Sequence, residues 1–178
     1  LNKNNSDLMF ITAPENVAWL LNIRGFDNPN SPIPNCHLLI DKKNNPYLIC
    51  EKKKAKKIIL EKKIRKKQVI EFKNFEKLIE DLKGSKIIID YKTCSLFFEN
   101  ILKKKFKILK KEDPIYLFKS IKSNKEIKNM ISSHIIDGAA LTKFLYWMKI
   151  KNRKKITEYE AQKKLEYFRK KNKNYLFP

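Results

Sequence analysis

Histidine is almost absent from this sequence: its 178 residues contain two, His37 and His134. A hydrolytic metal centre needs several His, Asp or Glu side chains converging on one point. Two distant histidines with no HExxH pair provide no such set. Glycine is nearly as scarce. With only Gly25, Gly84 and Gly138 available, the chain can form neither a P-loop nor a GxGxxG turn, so the common phosphate and dinucleotide cradles are excluded. There is no GxSxG elbow, and no cysteine has an identifiable histidine partner, which removes the usual nucleophilic arrangements. No catalytic and no metal-ligating residue is therefore expected on this chain.

Cysteine is also sparse. Cys36, Cys50 and Cys94 are odd in number, far apart and without a CxxC pair, which argues against a disulfide framework or a zinc site. They read as buried free thiols of a reducing, cytoplasmic setting. No apolar run approaches the roughly 18 residues of a membrane span. The opening "LNKNNSDLMF" lacks the charged and apolar regions of a signal peptide. No membrane partner is expected, and a start at Leu instead of Met reads as a fragment.

What the chain has in excess is lysine. The formal net charge is +22, which invites a nucleic-acid reading because a strong positive field attracts phosphate polymers. Yet only Arg24, Arg65, Arg153 and Arg169 could make planar bidentate contacts. The lysines are spread out and accompanied by abundant Ile and Asn, as an AT-rich coding sequence produces. The densest run, "EKKKAKKIILEKKIRKK" (51–67), reads as a solvated helix with Ala55, Ile58, Ile59, Leu60 and Ile64 facing inward. Specific nucleic-acid binding is not expected. A basic module using this run on nucleic acid or another polyanion remains the alternative function.

Along the chain, β-rich runs alternate with helical patterns. "LMFIT" (8–12) reads as a strand, and Ala13-Pro14-Glu15 as a helix start, where proline suits the first turn. Residues 36–40 and 47–50 read as a hairpin around "DKKNNP". A strand "QVIEF", a helix "FEKLIEDLKG" stopped by Gly84, and a strand "KIIIDY" follow. The next segment, "TCSLFFENILKKK", reads as a helix burying Leu96, Phe97, Ile101 and Leu102. The fold class is α/β, a sandwich around a mixed sheet.

A domain boundary is expected near residue 118, giving units 1–118 and 119–178. Beyond it, Ser123 to Glu126 forms a capping box. The stripe Ile127, Met130, Ile131, His134, Ile135, Gly138, Leu141, Leu145 and Met148 predicts a helix of about 25 residues, about 37 Å long. A second capping box, Thr157 to Glu160, opens another helix. These two helices have apolar faces and little to bury them. His134 reads as a core or interface histidine, with Asp137 one turn on as its partner.

Three segments resemble the Xaa-Pro aminopeptidase (aminopeptidase P) family, within the pita-bread metallopeptidases: "NVAWLLNIRGFDNPNSP", "DPIYLFKSIKSNKEIKNMISSHIIDGAALTKFLYWM" and "ITEYEAQKKLEYFRKKNKNYLFP". The resemblance covers nearly the whole chain. It implies a creatinase/prolidase N-terminal-like domain followed by two helices of a truncated pita-bread domain. In the parent it implies a dinuclear metal centre, commonly manganese, held by two Asp, one His and two Glu that all lie after Pro178. By the same resemblance, two divalent ions held there would supply the hydroxide for hydrolysis of the bond preceding proline in peptides. For this chain the resemblance implies a wall of the cleft, contacts with the remainder of the catalytic domain, and a homo-oligomeric parent. It marks Arg24, Gly25 and Asp27 as a cleft or domain-contact loop, and His134 and Asp137 as interdomain helix contacts. The loop "FDNPNSPIP" is richer in proline than the family's pattern. A creatinase-like interaction domain whose parent lacks a working metal centre is a third reading.

Overall fold

The structure, a computed structural model, describes residue 1, residues 5–151 and residues 155–176; Arg153 lies outside the described residues. The chain divides into two compact units, Leu1–Lys119 and Ser120–Pro178.

The first unit is built on six strands in the order β4-β3-β2-β1-β5-β6. The strands are β1 (Leu8–Ile11), β2 (His37–Asp41), β3 (Pro46–Ile49), β4 (Val69–Ile70), β5 (Lys86–Ile89) and β6 (Lys107–Lys110). β1, β2 and β3 run antiparallel as a meander, with Met9 opposite Ile40 and Leu38 opposite Leu48. β5 joins β1 in parallel, β6 joins β5 and β4 joins β3 in the same sense. The sheet is therefore mixed. Lysine at both ends of the outer strand β6 disfavours pairing with a further chain.

Period-2 alternation gives each face of the sheet its own core. Leu8, Phe10, Leu39, Ile49, Ile87 and Ile89 pack against α3 (Phe75–Asp81) and α4 (Leu96–Lys103). Ile11, Leu38, Leu48 and Val69 face the other way, against α1 (Pro14–Leu20), Ala55, Ile64 and the first residue of α5 (Ile115–Ser120). Both layers are helical, which makes the unit an α/β sandwich.

Several local expectations are corrected. The basic run does not form one long helix: α2 covers only Lys56–Leu60. Lys62 takes a left-handed φ of 56°, and the amides of Lys62 and Lys63 bond back to the carbonyls of Ile59 and Ile58. That crossed pair of bonds ends a helix. Ala55 and Ile64 are buried as expected and Ile58 and Ile59 pack partly against the core, but Leu60 is 82% exposed. In α4 the inward positions are Phe98, Ile101 and Leu102, while Leu96 and Phe97 are exposed. Ser95 caps this helix by accepting from the Phe98 amide, so Leu96 and Phe97 occupy its first turn and the i, i+3, i+4 stripe starts at Phe98, two residues later than expected.

Gly84 is likewise not the helix cap. α3 stops at Asp81, Leu82 is already extended, and Gly84 sits in the approach to β5 with φ 140°. A Cβ there would lie 2.8 Å from the Asp7 Cβ. Asp7 itself accepts from the amides of Ser85 (2.8 Å) and Lys86 (3.2 Å) and from the Ser85 hydroxyl. These bonds, the two amides foremost, hold its carboxyl down from 3.8 to about 2. A depressed carboxylate pKa contributes stability above its unfolded value that is lost as pH falls through the folded one. Asp7→Asn is expected to flatten the wild type's loss of stability between pH 3.8 and about 2. Urea midpoints measured across that range check it, and parallel curves for the two proteins would refute it.

The second unit comprises α6 (Asn124–Ile150) and α7 (Glu158–Lys170), each opened by a complete capping box, Ser123 with Glu126 and Thr157 with Glu160. They pair antiparallel. Asp137 meets Arg169 at one end, and Lys164 lies over the Trp147 ring at the other. Ala140 is the sole buried residue of α6 among those described, and Ile127, Met130, Ile131, Ile135 and Leu145 stay exposed.

Candidate functional site

The sequence around Arg24 forms a braced loop between α1 and β2. Pro14 opens α1, Val17 and Ala18 bury its inner face, and Leu21 caps it. Asn22, at φ 47°, then turns the chain outward. Asparagine tolerates this left-handed conformation better than most residues. "AWLLNI" is thus the end of a helix and its turn, with Ile23 buried and Trp19 and Leu20 over a third exposed.

Gly25 donates its amide to the Pro32 carbonyl at 2.9 Å. A Cβ at Gly25 would lie 2.6 Å from the Pro34 Cβ and 2.8 Å from its Cα, so Pro34 presses directly on this glycine. Asp27 accepts from the Asn35 amide (2.8 Å) and the Lys54 ammonium (2.6 Å). The Lys54 bond, followed by the Asn35 amide, holds its carboxyl below the usual range. Arg24 is exposed and donates from Nη1 to the Ile23 carbonyl at 2.8 Å. Gly25 and Asp27 therefore fix the loop, and Arg24 presents its guanidinium at the surface.

At the carboxyl ends of β1 and β5 lies a polar cluster that the sequence reading missed. Asn16, fully buried, donates to Asp113 Oδ2 at 2.7 Å and accepts from Lys119 Nζ at 2.5 Å. The Asp113 amide donates to Asp90 Oδ2 (3.0 Å), and Asp113 Oδ1 accepts from the Ile115 amide (2.9 Å). Burial pushes the Asp113 carboxyl up despite these bonds. Tyr116 donates to Glu15 at 3.0 Å, and Lys119 lies over the Tyr116 ring at 4.5 Å. The network clamps α5 to the start of α1. Its sequence signal was the Asp-Pro pair at 113–114, a turn initiator.

His37 stands on β2 with Nδ1 2.9 Å from the Thr12 carbonyl oxygen and its ring edge-on to Phe98, Phe10 and Phe72. Burial lowers its pKa, which favours the neutral imidazole. The other histidine, His134, is exposed on α6 and so is not a core residue. Asp137 pairs with Arg169 instead, through bonds of 2.6 Å and 3.0 Å that depress its carboxyl pKa, with His134 adding only a small effect. The pair lines a cleft of about 370 Å³ between α6 and α7, with Ser132, Ser133 and Tyr175.

Burial drives the three thiols up, Cys36 to about 12 and Cys50 and Cys94 to about 11, which favours the neutral thiol over the thiolate. Among the described residues no three His, Cys, Asp or Glu side chains are grouped to hold a metal ion. No described helix is long and apolar enough to cross a membrane.

Comparison with known proteins bears on the same elements. The Creatinase/Prolidase N-terminal domain family matches residues 1–126. Xaa-Pro aminopeptidase 1 of Dictyostelium discoideum is 30% identical across 99% of this chain, which corresponds to 29% of that protein. Xaa-Pro aminopeptidase ApepP of Drosophila melanogaster is 27% identical across 99% of the chain and 30% of its own length. The chain thus spans under a third of the curated relatives it matches. An X-prolyl aminopeptidase from Caenorhabditis elegans, described as a cytosolic enzyme with a di-nuclear active site, superposes with a TM-score of 0.83 over 99% of this chain and 30% of that one. At 20% identity that likeness shows the fold.

Proposed function

The chain belongs to the creatinase/prolidase N-terminal domain family, and from that premise we propose that it is the non-catalytic flank of an Xaa-Pro aminopeptidase. The observation that carries this reading is the extent of the match: both units, not the α/β unit alone, align with Xaa-Pro aminopeptidases over 99% of the chain. In the proposal, residues 1–118 form the middle domain, and 119–178 the linker and first helices of the catalytic domain. The described residues do not fit a dinuclear metal centre, because among them no three His, Cys, Asp or Glu side chains are grouped so as to hold a metal ion. The ligands, for manganese or another divalent ion, are supplied by the rest of the parent.

Within that parent, Arg24 on its braced loop is a cleft or domain-contact residue. Gly25 and Asp27 hold it, the first by its contact with Pro34 and the second through Lys54. His134 and Asp137 belong to the interdomain helix α6. Its exposed row of Ile127, Met130, Ile131 and Ile135 is the surface on which the remaining catalytic domain packs. An apolar row of this size is costly to leave in water, and burial would stabilise the assembly by about 25 cal/mol per Å². We place the parent in the cytoplasm as a homo-oligomer acting on proline-containing peptides.

The test is cleavage of Xaa-Pro peptides with manganese present. The 178-residue chain alone is expected to be inactive, and the full-length parent active. Arg24→Ala in the parent is expected to raise KM severalfold while the melting temperature holds. An inactive, correctly metallated parent would overturn the peptidase reading, and unchanged kinetics in the Arg24 variant would remove Arg24 from the cleft.

A further inference from the structure

Residues 51–67 hold nine lysines and Arg65 against two glutamates, a net +8 within 17 residues of a chain whose total is +22. Drawn out as one helix, these charges would be spread along about 25 Å. The structure gathers them instead. Ala55 and Ile64, both buried, anchor the two ends of a compact turn. Lys54 bonds Asp27, and Lys63 donates to the Asn22 carbonyl at 2.8 Å, which ties the turn to the loop before β2. Between the anchors, α2 is stopped by Lys62 in the left-handed conformation. A non-glycine residue takes that conformation only at an energetic cost. The stop turns the chain back and leaves Leu60 82% exposed among cations.

Glu51 and Glu61 neutralise part of this turn through Lys53, Lys54, Lys57 and Lys63. Among the described residues, Lys52, Lys56, Lys62, Lys66 and Lys67 have no carboxylate partner, and all are exposed. We propose that this knob docks the protein peripherally on an anionic lipid bilayer, with the unpaired lysines among acidic headgroups and Leu60 inserted at the acyl boundary. The contact would be peripheral, since no described helix is long and apolar enough to cross a membrane. Lysines near an acidic leaflet each add attraction, and one apolar side chain entering the interface strengthens it. RNA fits the knob less well. The segment has one arginine and no aromatic residue, so it lacks the fork-like contacts and stacking platforms that single strands use.

The test is co-sedimentation of the 178-residue chain with vesicles of pure phosphatidylcholine or with about 30% phosphatidylserine, at about 0.15 M salt, where surface charges more than roughly 8 Å apart are largely screened. Binding is expected to need the acidic lipid. Replacing Lys52, Lys56, Lys62 and Lys66 by glutamine is expected to weaken it about tenfold or more. The same number of exposed lysines elsewhere, Lys77, Lys83, Lys107 and Lys128, changed to glutamine should weaken it about twofold, as net charge alone requires. Leu60→Ser, which leaves the charge intact, should cost about tenfold. Equal losses in the two lysine variants would reduce the effect to the chain's overall charge and overturn the proposal. So would binding to neutral vesicles alone, or knob-dependent retention by single-stranded RNA without any by acidic vesicles.

Discussion

Phe10→Ala is expected to destabilise the α/β unit by about 4 kcal/mol, within the roughly 3–5 kcal/mol typical of a large aromatic truncated in a core. Phe10 is fully buried on β1, which pairs antiparallel with β2 on one side and parallel with β5 on the other. Its ring centroid lies 5.3 Å from Phe75, 5.2 Å from Phe98 and 5.8 Å from the His37 imidazole. The side chain thus joins α3, α4 and β2, and no single neighbour can collapse into the space it leaves. With a total stability of about 5–15 kcal/mol for a domain of this kind, the loss lowers Tm by about 15 °C. The two tryptophans make the measurement clean, because Trp19 belongs to the first unit and Trp147 to the second. In a Trp147→Phe background, the Trp19 emission reports unfolding of the α/β unit alone. A shift below about 1 kcal/mol would mean that the core closes over the gap, contrary to the packing described. Phe10→Leu should cost well under half as much, since it keeps most of the volume.

Asn16→Leu is expected to cost about 3 kcal/mol, in the range for leaving a buried charge without its hydrogen-bond partner. The substitution nearly preserves volume but removes the donor to Asp113 and the acceptor for Lys119 at once. Its pH dependence identifies the cause. Burial already raises the Asp113 carboxyl pKa, so the folded state takes up a proton more readily than the unfolded chain, and stability falls as pH rises from the unfolded value through the folded one. Removing the Asn16 bond, which lowers that pKa, raises it further. The deficit of the variant should therefore be larger at pH 7 than near pH 4. An equal deficit at both would assign the loss to packing rather than to the carboxylate. Asn16→Asp adds a second acid beside Asp113 and should show the same pH trend more steeply.

Strand positions and helix starts were legible where one local pattern settled the matter. Short β-rich apolar runs, "LMFI" and "KIII", placed β1 and β5, and the capping boxes at Ser123 and Thr157 placed the starts of α6 and α7, because each depends on side chains within a few residues of one another. The lysine run was misread for the opposite reason. Its spacing fits a helix throughout, and only the left-handed stop at Lys62, with Ile64 drawn into the core, decides that α2 is five residues long. Leu96 and Phe97 show the same limit, since apolar residues in a first turn look like core until the cap fixes the helix phase.

The candidate loop was legible as a motif and not as a mechanism. "RGFD" stood out in the sequence, but that Gly25 must lack a side chain depends on Pro34, nine residues on, and the partner of Asp27 is Lys54, 27 residues on. The Asn16–Asp113 bond spans 97 positions, and the pairing of Asp137 with Arg169, not His134, spans 32. By itself the sequence determined the α/β class, the mixed sheet, the scarcity of metal and nucleophile chemistry, and the likeness to Xaa-Pro aminopeptidases. Those follow from composition and from order along the chain. Which polar groups meet, which lysines are left unpaired and which glycine is hemmed in were decided only by the tertiary structure, because hydrogen bonds and steric contacts act over a few ångströms of space that the sequence does not specify.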